Sequence, residues 1–151
     1  MPVFDWVFGT KDVPGQRRLA TSGPRVSIEA SIHPLMQRSL TDAGANIPAP
    51  VPGIALIDTG ASITSVDLSV AQRLNLQVVG TRKLGTARGV VDAPLFSFTL
   101  RLLPWGFNLN CVLGVGCDIH AQGIIALIGM DLLSQCVLTV HGPMGVVSIA
   151  V

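Results

Sequence analysis

The residue best placed to do chemistry is an aspartate at the end of an apolar run. Ala55-Leu56-Ile57 leads directly into Asp58-Thr59-Gly60-Ala61-Ser62. A carboxylate in such a position is costly unless donors surround it, and residues 59–62 offer backbone N–H groups and hydroxyls. An acid held this way is a candidate for general acid–base work on a bound water. The same tripeptide also suits an ordinary Asx-turn, in which Asp58 only closes a loop. On the tripeptide alone, both remain open.

Other chemistries find no support. Cys111, Cys117 and Cys136 form no CxxC pair, and an odd number of cysteines without a secretory signal favours reduced, buried thiols. His33, His120 and His141 lie far apart with no HExxH spacing, so neither a metal site nor another cofactor is expected. Gly114-Val115-Gly116-Cys117-Asp118-Ile119 lacks the third glycine of a dinucleotide fingerprint, and no GxxxxGK[ST] occurs. Ser62 has Gly60 two residues before it but Thr64 two after it, which fails the GxSxG pattern. Nothing ties any cysteine to an activating base.

The elements that must hold Asp58 follow from composition and period. At 151 residues the chain fits one domain and can bury about 70% of its unfolded surface. Hydrophobic residues make up 49% and charged ones 13%, which excludes disorder for the bulk of the chain. A net charge of +1 with scattered basic residues argues against nucleic acid as a partner. Mean hydropathy of +0.58 raises the question of membranes. The longest apolar stretch, Gly123 to Met130, stops at Asp131, far short of the ~20 residues a spanning helix needs, so no transmembrane segment is expected. The N-terminus has no basic region of the signal-peptide kind, and with the odd cysteine count this favours the cytoplasm.

Alternation predicts a mostly β domain. Val3 to Phe8 reads as a strand, followed by an irregular basic segment to residue 25. Val26 to Ile32 alternates as a half-buried strand. Residues 41–52, with three prolines, form a loop, and Gly53 to Ile57 a buried strand. Ser65 to Leu74 suits a helix with Ser65 as N-cap. Gly85-Thr86-Ala87-Arg88-Gly89 is a turn between extended arms, a hairpin whose two bracketing glycines tolerate positive φ. Leu95 to Leu102 places Phe96, Phe98, Leu100 and Leu102 on one face, and Phe107 to Leu113 does the same with Phe107, Leu109, Cys111 and Leu113. A short helix over Asp131 to Cys136 and strands at Val137 to Val140 and Val146 to Val151 close the chain. One internal echo links the two ends of the pattern: Ala55-Leu56-Ile57-Asp58 and Ala126-Leu127-Ile128-Gly129 share three residues in a row.

The apolar run into Asp58-Thr59-Gly60-Ala61 resembles the active-site loop of aspartic proteases. Leu127-Ile128-Gly129-Met130-Asp131-Leu132-Leu133 resembles the second signature of the retropepsin subgroup, and residues 84–91 fall where that family has its flap. The resemblance covers residues 53–140. It implies a single-lobe acid-protease fold, closed and barrel-like, with a flap hairpin and one or two short helices, and one such domain over residues 1–151. It also implies an aspartic endopeptidase acting on peptide or protein. With one Asp-Thr-Gly and about half the length of two-lobed members, the second carboxylate must be Asp58 of another copy, so a homodimer is implied.

The resemblance assigns roles residue by residue. Asp58, Thr59 and Gly60 are catalytic, Thr59 by hydrogen-bonding across the dimer beneath the acids. Ala61, Ser62, Thr86, Ala87, Arg88, Gly89 and Ile128 meet substrate, and Gly129 packs against the site loop. Residues 146–151 become an interface strand, interleaved with the partner's terminal strands. Two departures stand out: retroviral members have an acid at the position of Ser62 and an arginine at that of Met130, which pair, and neither is present here. A retropepsin-like dimerisation or peptide-binding module without turnover is the alternative, and a membrane-associated fragment of a longer protein a third.

Overall fold

Runs such as Val26, Ile28, Ala30 and Ile32 have one apolar face each, which can be buried only against other strands. The computed structural model, which describes residues 3–7, 9, 11–103 and 106–151, shows how the chain does this. In chain order the strands are β1 (Val3–Val7), β2 (Arg25–Ile32), β3 (Val51–Ile57), β4 (Ser65–Asp67) and β5 (Gly80–Thr86). They continue with β6 (Gly89–Leu102), β7 (Phe107–Cys117), β8 (Ala126–Ile128), β9 (Val137–His141) and β10 (Val146–Ala150). Four short helices interrupt them: α1 (Gly15–Ser22), α2 (Pro34–Asp42), α3 (Leu68–Arg73) and α4 (Met130–Leu133). Phe8, expected to end the first strand, lies outside the described residues.

Seven strands form one sheet in the order β2-β3-β8-β4-β7-β6-β5, and β2 also pairs with β6. That extra pairing closes six of them into a barrel and leaves β5 outside it. The long β6 makes this possible by changing partners along one edge. Residues 89–95 pair with β5, and residues 98–102 pair with β2. Phe98, Leu100 and Leu102 fill the barrel with Ile28, Ala55 and Ile128, all buried. The echo has a structural meaning, because β3 and β8 lie side by side and parallel, with Ala55, Leu56 and Ile57 registered on Ala126, Leu127 and Ile128.

Several expectations need correction, each because tertiary contacts override local pattern. The segment before residue 25 is not irregular throughout; α1 forms there and docks through buried Gly15 onto the turn before β10. Residues 34–42 form α2, none of whose residues is buried. The 41–52 loop is therefore shorter at both ends, from helix to Asp42 and from strand at Val51. Ser65 does not cap a helix: it is a sheet residue between β7 and β8, and Asp67 is the N-cap of α3. Leu113 does not face inward, since a register shift opposite Phe96 and Phe98 leaves it 53% exposed beside exposed Val112. The closing helix starts at Met130 and ends at Leu133.

The three-stranded sheet β1-β10-β9 corrects a further expectation. β10 is its central strand, with β1 on one edge and β9 on the other, both antiparallel. Its backbone ladder is thus filled within the chain, and the free edges belong to β1 and β9. No helix among the described residues is long and apolar enough to cross a membrane.

The docking of α1 is tight. A Cβ at Gly145 would stand 2.3 Å from the Gly15 Cα, and Gly145 has φ +63°. Gly145→Ala is expected to cost about 1–3 kcal/mol and to lower the melting temperature. An unchanged Tm would mean that α1 is not docked there.

Candidate active site

The loop that carries Asp58 is built onto β8 and α4 rather than hanging free. The Asp58 N–H donates to the Ile128 carbonyl at 2.9 Å, extending the parallel β3–β8 ladder by one step. The Met130 N–H donates to the Ala61 carbonyl at 2.8 Å. Within the loop the Gly60 N–H donates to Asp58 Oδ1 at 2.9 Å, the Asx-turn foreseen from the tripeptide. The other carboxylate oxygen, Oδ2, has no protein partner among the described residues. Asp58 is half-buried, and Thr59, Gly60 and Ser62 are exposed.

Beneath this loop two backbones touch. A Cβ at Gly129 would stand 2.6 Å from the Ile63 carbonyl carbon and 2.9 Å from the Thr64 nitrogen. Any side chain there would meet main chain, so glycine is required by close approach rather than by φ. Buried Thr64 locks the contact: its Oγ1 donates to Asp131 Oδ1 at 2.7 Å and accepts the Gly129 N–H at 3.0 Å. Its own N–H donates to the same Asp131 oxygen at 2.9 Å.

Comparison with known proteins identifies the family. The family described as gag-polyprotein putative aspartyl protease matches residues 50–135, more than half of the chain. The chain belongs to this family of retropepsin-like aspartic proteases. Among solved structures it is similar to a retropepsin-like aspartic protease from Rickettsia conorii, at 15% identity and TM-score 0.50, covering 98% of this chain and 91% of that one. It is also similar to the EIAV protease complexed with the inhibitor HBY-793, at 16% identity and TM-score 0.47, covering 74% and 86%. No curated protein is similar enough in sequence to match.

Against this protease frame, the expected site residues fall into two groups. Asp58, Thr59, Gly60, Ala61 and Ser62 share the loop, with Gly129 below it. Thr86, Ala87, Arg88 and Gly89 sit at the exposed tip of the β5–β6 hairpin, where Ala87 and Arg88 form a two-residue turn. Thr86 Oγ1 bridges it, donating to the Gly89 carbonyl at 2.8 Å and accepting the Arg88 N–H at 3.2 Å. Only Gly89 of the two bracketing glycines has positive φ, +118°. Ile128 is a correction. It has no accessible surface, because strand alternation turns it into the barrel. Its neighbour Leu127, half-buried, lies on the face of Asp58 instead.

Thr64 and Asp131 went unassigned in the sequence. The available signal was an acid at the start of a short helix directly after Gly129. Asp67 is another buried acid, with four donors: Ser69 N–H and Oγ on Oδ1, and the Ile119 and His120 N–H groups on Oδ2. Burial by itself raises its pKa, but the Ser69 hydroxyl and the three amides outweigh it and hold the carboxyl below its ordinary value. Asp67, Asp118 and His120 bring ligand atoms within 4.8 Å of one another. Both Asp67 oxygens are already taken, however, so the group suits a clamp between α3 and the 119–120 turn better than a metal. The three cysteines are free, and burial raises each thiol, Cys111 to about 12 with the Asp131 charge adding to it.

Three variants test these contacts. Thr64→Val removes one hydrogen bond to Asp131 and strands the buried Gly129 N–H, at a cost of about 1–3 kcal/mol in urea unfolding. Ser62→Ala, on the exposed side of the loop, should stay within about 0.5 kcal/mol of wild type. Because the folded pKa of Asp67 is depressed, its stabilisation is present above the ordinary carboxylate value of 3.8 and is lost as pH falls through the lowered one. The stability gap between wild type and Asp67→Asn should therefore be widest near neutral pH and close in acid.

Proposed function

We propose that this protein is an aspartic endopeptidase whose active unit is a homodimer, with Asp58 from each copy forming the dyad. The observation that carries this is the free Oδ2 of an acid otherwise held fixed, in a chain with one such loop. Two facing carboxylates share a single proton, since like charges at that range do not both ionise. The ionised one takes a proton from a water whose oxygen bonds to the peptide carbonyl carbon, while the other gives its proton to the carbonyl oxygen. As the tetrahedral intermediate collapses and the C–N bond breaks, the carboxyl that took the water's proton gives it to the leaving nitrogen, while the other carboxylate takes a proton from an intermediate hydroxyl, which returns the dyad to its shared state. The pair titrates as a unit.

The remaining roles follow from placement. Thr59 is exposed and its hydroxyl has no partner among the described residues, which suits a bond across the dimer axis. Residues 84–91 close over the peptide as a flap, with Thr86, Ala87, Arg88 and Gly89 at its tip and Ala61 and Ser62 on the floor. Leu127 takes the substrate-facing place first expected of Ile128. Association uses the open edges of β1 and β9, where Val3, Val7, Val137 and Val140 are exposed, and needs no Ser62–Met130 ion pair.

Digestion of a peptide library by wild type and Asp58→Asn, with sedimentation of both, tests the proposal. Wild type should cleave, with specific activity rising with protein concentration as dimer forms. Asp58→Asn should lose at least about 10²–10⁴-fold while keeping fold and mass. Undiminished cleavage by a folded Asp58→Asn protein would overturn the protease reading, and activity independent of concentration would overturn the dimer.

A further inference from the structure

The sheet face that carries Asp58 also carries a cation, Arg25, with no acid paired to it among the described residues. Arg25 opens β2 directly opposite Leu56, and Leu56 is registered on Leu127 across the β3–β8 pair. Burial separates the two faces of these strands. Val26, Ile57 and Ile128 are buried, whereas Arg25, Leu56, Leu127 and Asp58 are half-buried. The cation, the two leucines and the acid therefore share one face, with Leu56 next to Arg25 across the strands, Leu127 beyond it, and Asp58 two residues along the chain from Leu56.

The head of Arg25 is held in place. Nε donates to the Ser22 carbonyl at 3.0 Å, and a Cβ at Gly123 would lie 3.6 Å from Nη1. The guanidinium thus rests between the end of α1 and the turn before β8. Its two Nη groups have no hydrogen-bond or ion-pair partner among the described residues. A fixed, half-desolvated fork with free N–H groups is suited to a carboxylate, which it can bind in two parallel bonds.

We propose that Arg25 is a specificity-determining residue that selects an acidic side chain in the peptide substrate. The inference rests on Asp58 being the protease's acid. An extended peptide turns alternate side chains to one wall, about 6.6 Å apart. The shelf of Leu56 and Leu127 takes the apolar side chain next to the scissile bond. The next side chain on that wall, two positions further out, reaches Arg25 and is Asp or Glu. Two-fold symmetry places a second Arg25 at the other end of the peptide.

The test uses peptides that differ only at that position, carrying Glu, Gln or Lys, with wild type, Arg25→Gln and Arg25→Glu. Wild type should favour Glu over Gln by about tenfold in kcat/KM. Arg25→Gln should level the two, and Arg25→Glu should favour Lys. Circular dichroism of all three proteins separates lost recognition from lost folding. The same peptides are titrated by fluorescence anisotropy against Asp58→Asn, alone and combined with each Arg25 substitution. Equal handling of Glu and Gln by wild type, or Glu preference surviving in Arg25→Glu, would overturn the proposal. If no peptide is cleaved, yet the Asp58→Asn protein binds the Glu peptide tightest and loses this with Arg25→Glu, the protease reading fails and the role of Arg25 stands.

Discussion

The contact between Gly129 and the backbone of residues 63–64 is what the rest of the site depends on. It brings the start of α4 close enough for Asp131 to reach Thr64, and Thr64 close enough to accept the Gly129 N–H. Backbone against backbone leaves no slack for a side chain to absorb, so the Asp58 loop has one position relative to β8. In the proposed dimer the carboxylate shares a proton with the same residue of another copy, which requires it to be fixed on that scale.

One strand links the barrel core to the exposed hairpin. β6 is long enough to serve first as an arm of the exposed hairpin and then as a wall of the core, with Phe98 and Leu100 fully buried in its second half. None of residues 85–92 is buried. Burial therefore falls steeply along one strand, from core to tip. The clamp at Asp67 works at the other side of the barrel, where four donors surround a carboxylate buried at the head of α3 and His120 Nδ1 lies 3.6 Å from its Oδ2.

The departures from retroviral members also make physical sense together. Without an acid at residue 62 or an arginine at 130, the loop is tied instead by the Met130–Ala61 backbone bond and the Thr64–Asp131 pair. These lie within one chain, so the loop is ordered before any partner arrives. The apolar composition then finds an outlet in exposed valines along the β1 and β9 edges.

The sequence by itself determined the parts governed by local chemistry. The apolar run ending in Asp58-Thr59-Gly60, the matching run ending in Gly129, the hairpin turn and the alternating strands are all legible because each depends on residue type and short spacing. Even the three-residue echo proved to mark two strands that pair in register. Only the tertiary structure decided which leucine or isoleucine faces the acid, because period two fixes alternation but not its phase, and Leu127 rather than Ile128 is turned outward. It also decided α1 and α2, whose own residues bury too little to announce a helix, the exposure of Leu113 through a one-residue slip, and the central place of β10. Arg25 is the clearest instance. Thirty-three residues before Asp58, it reaches the acid's face only because β2 folds back along β3, and long-range pairing of that kind leaves no mark in local sequence.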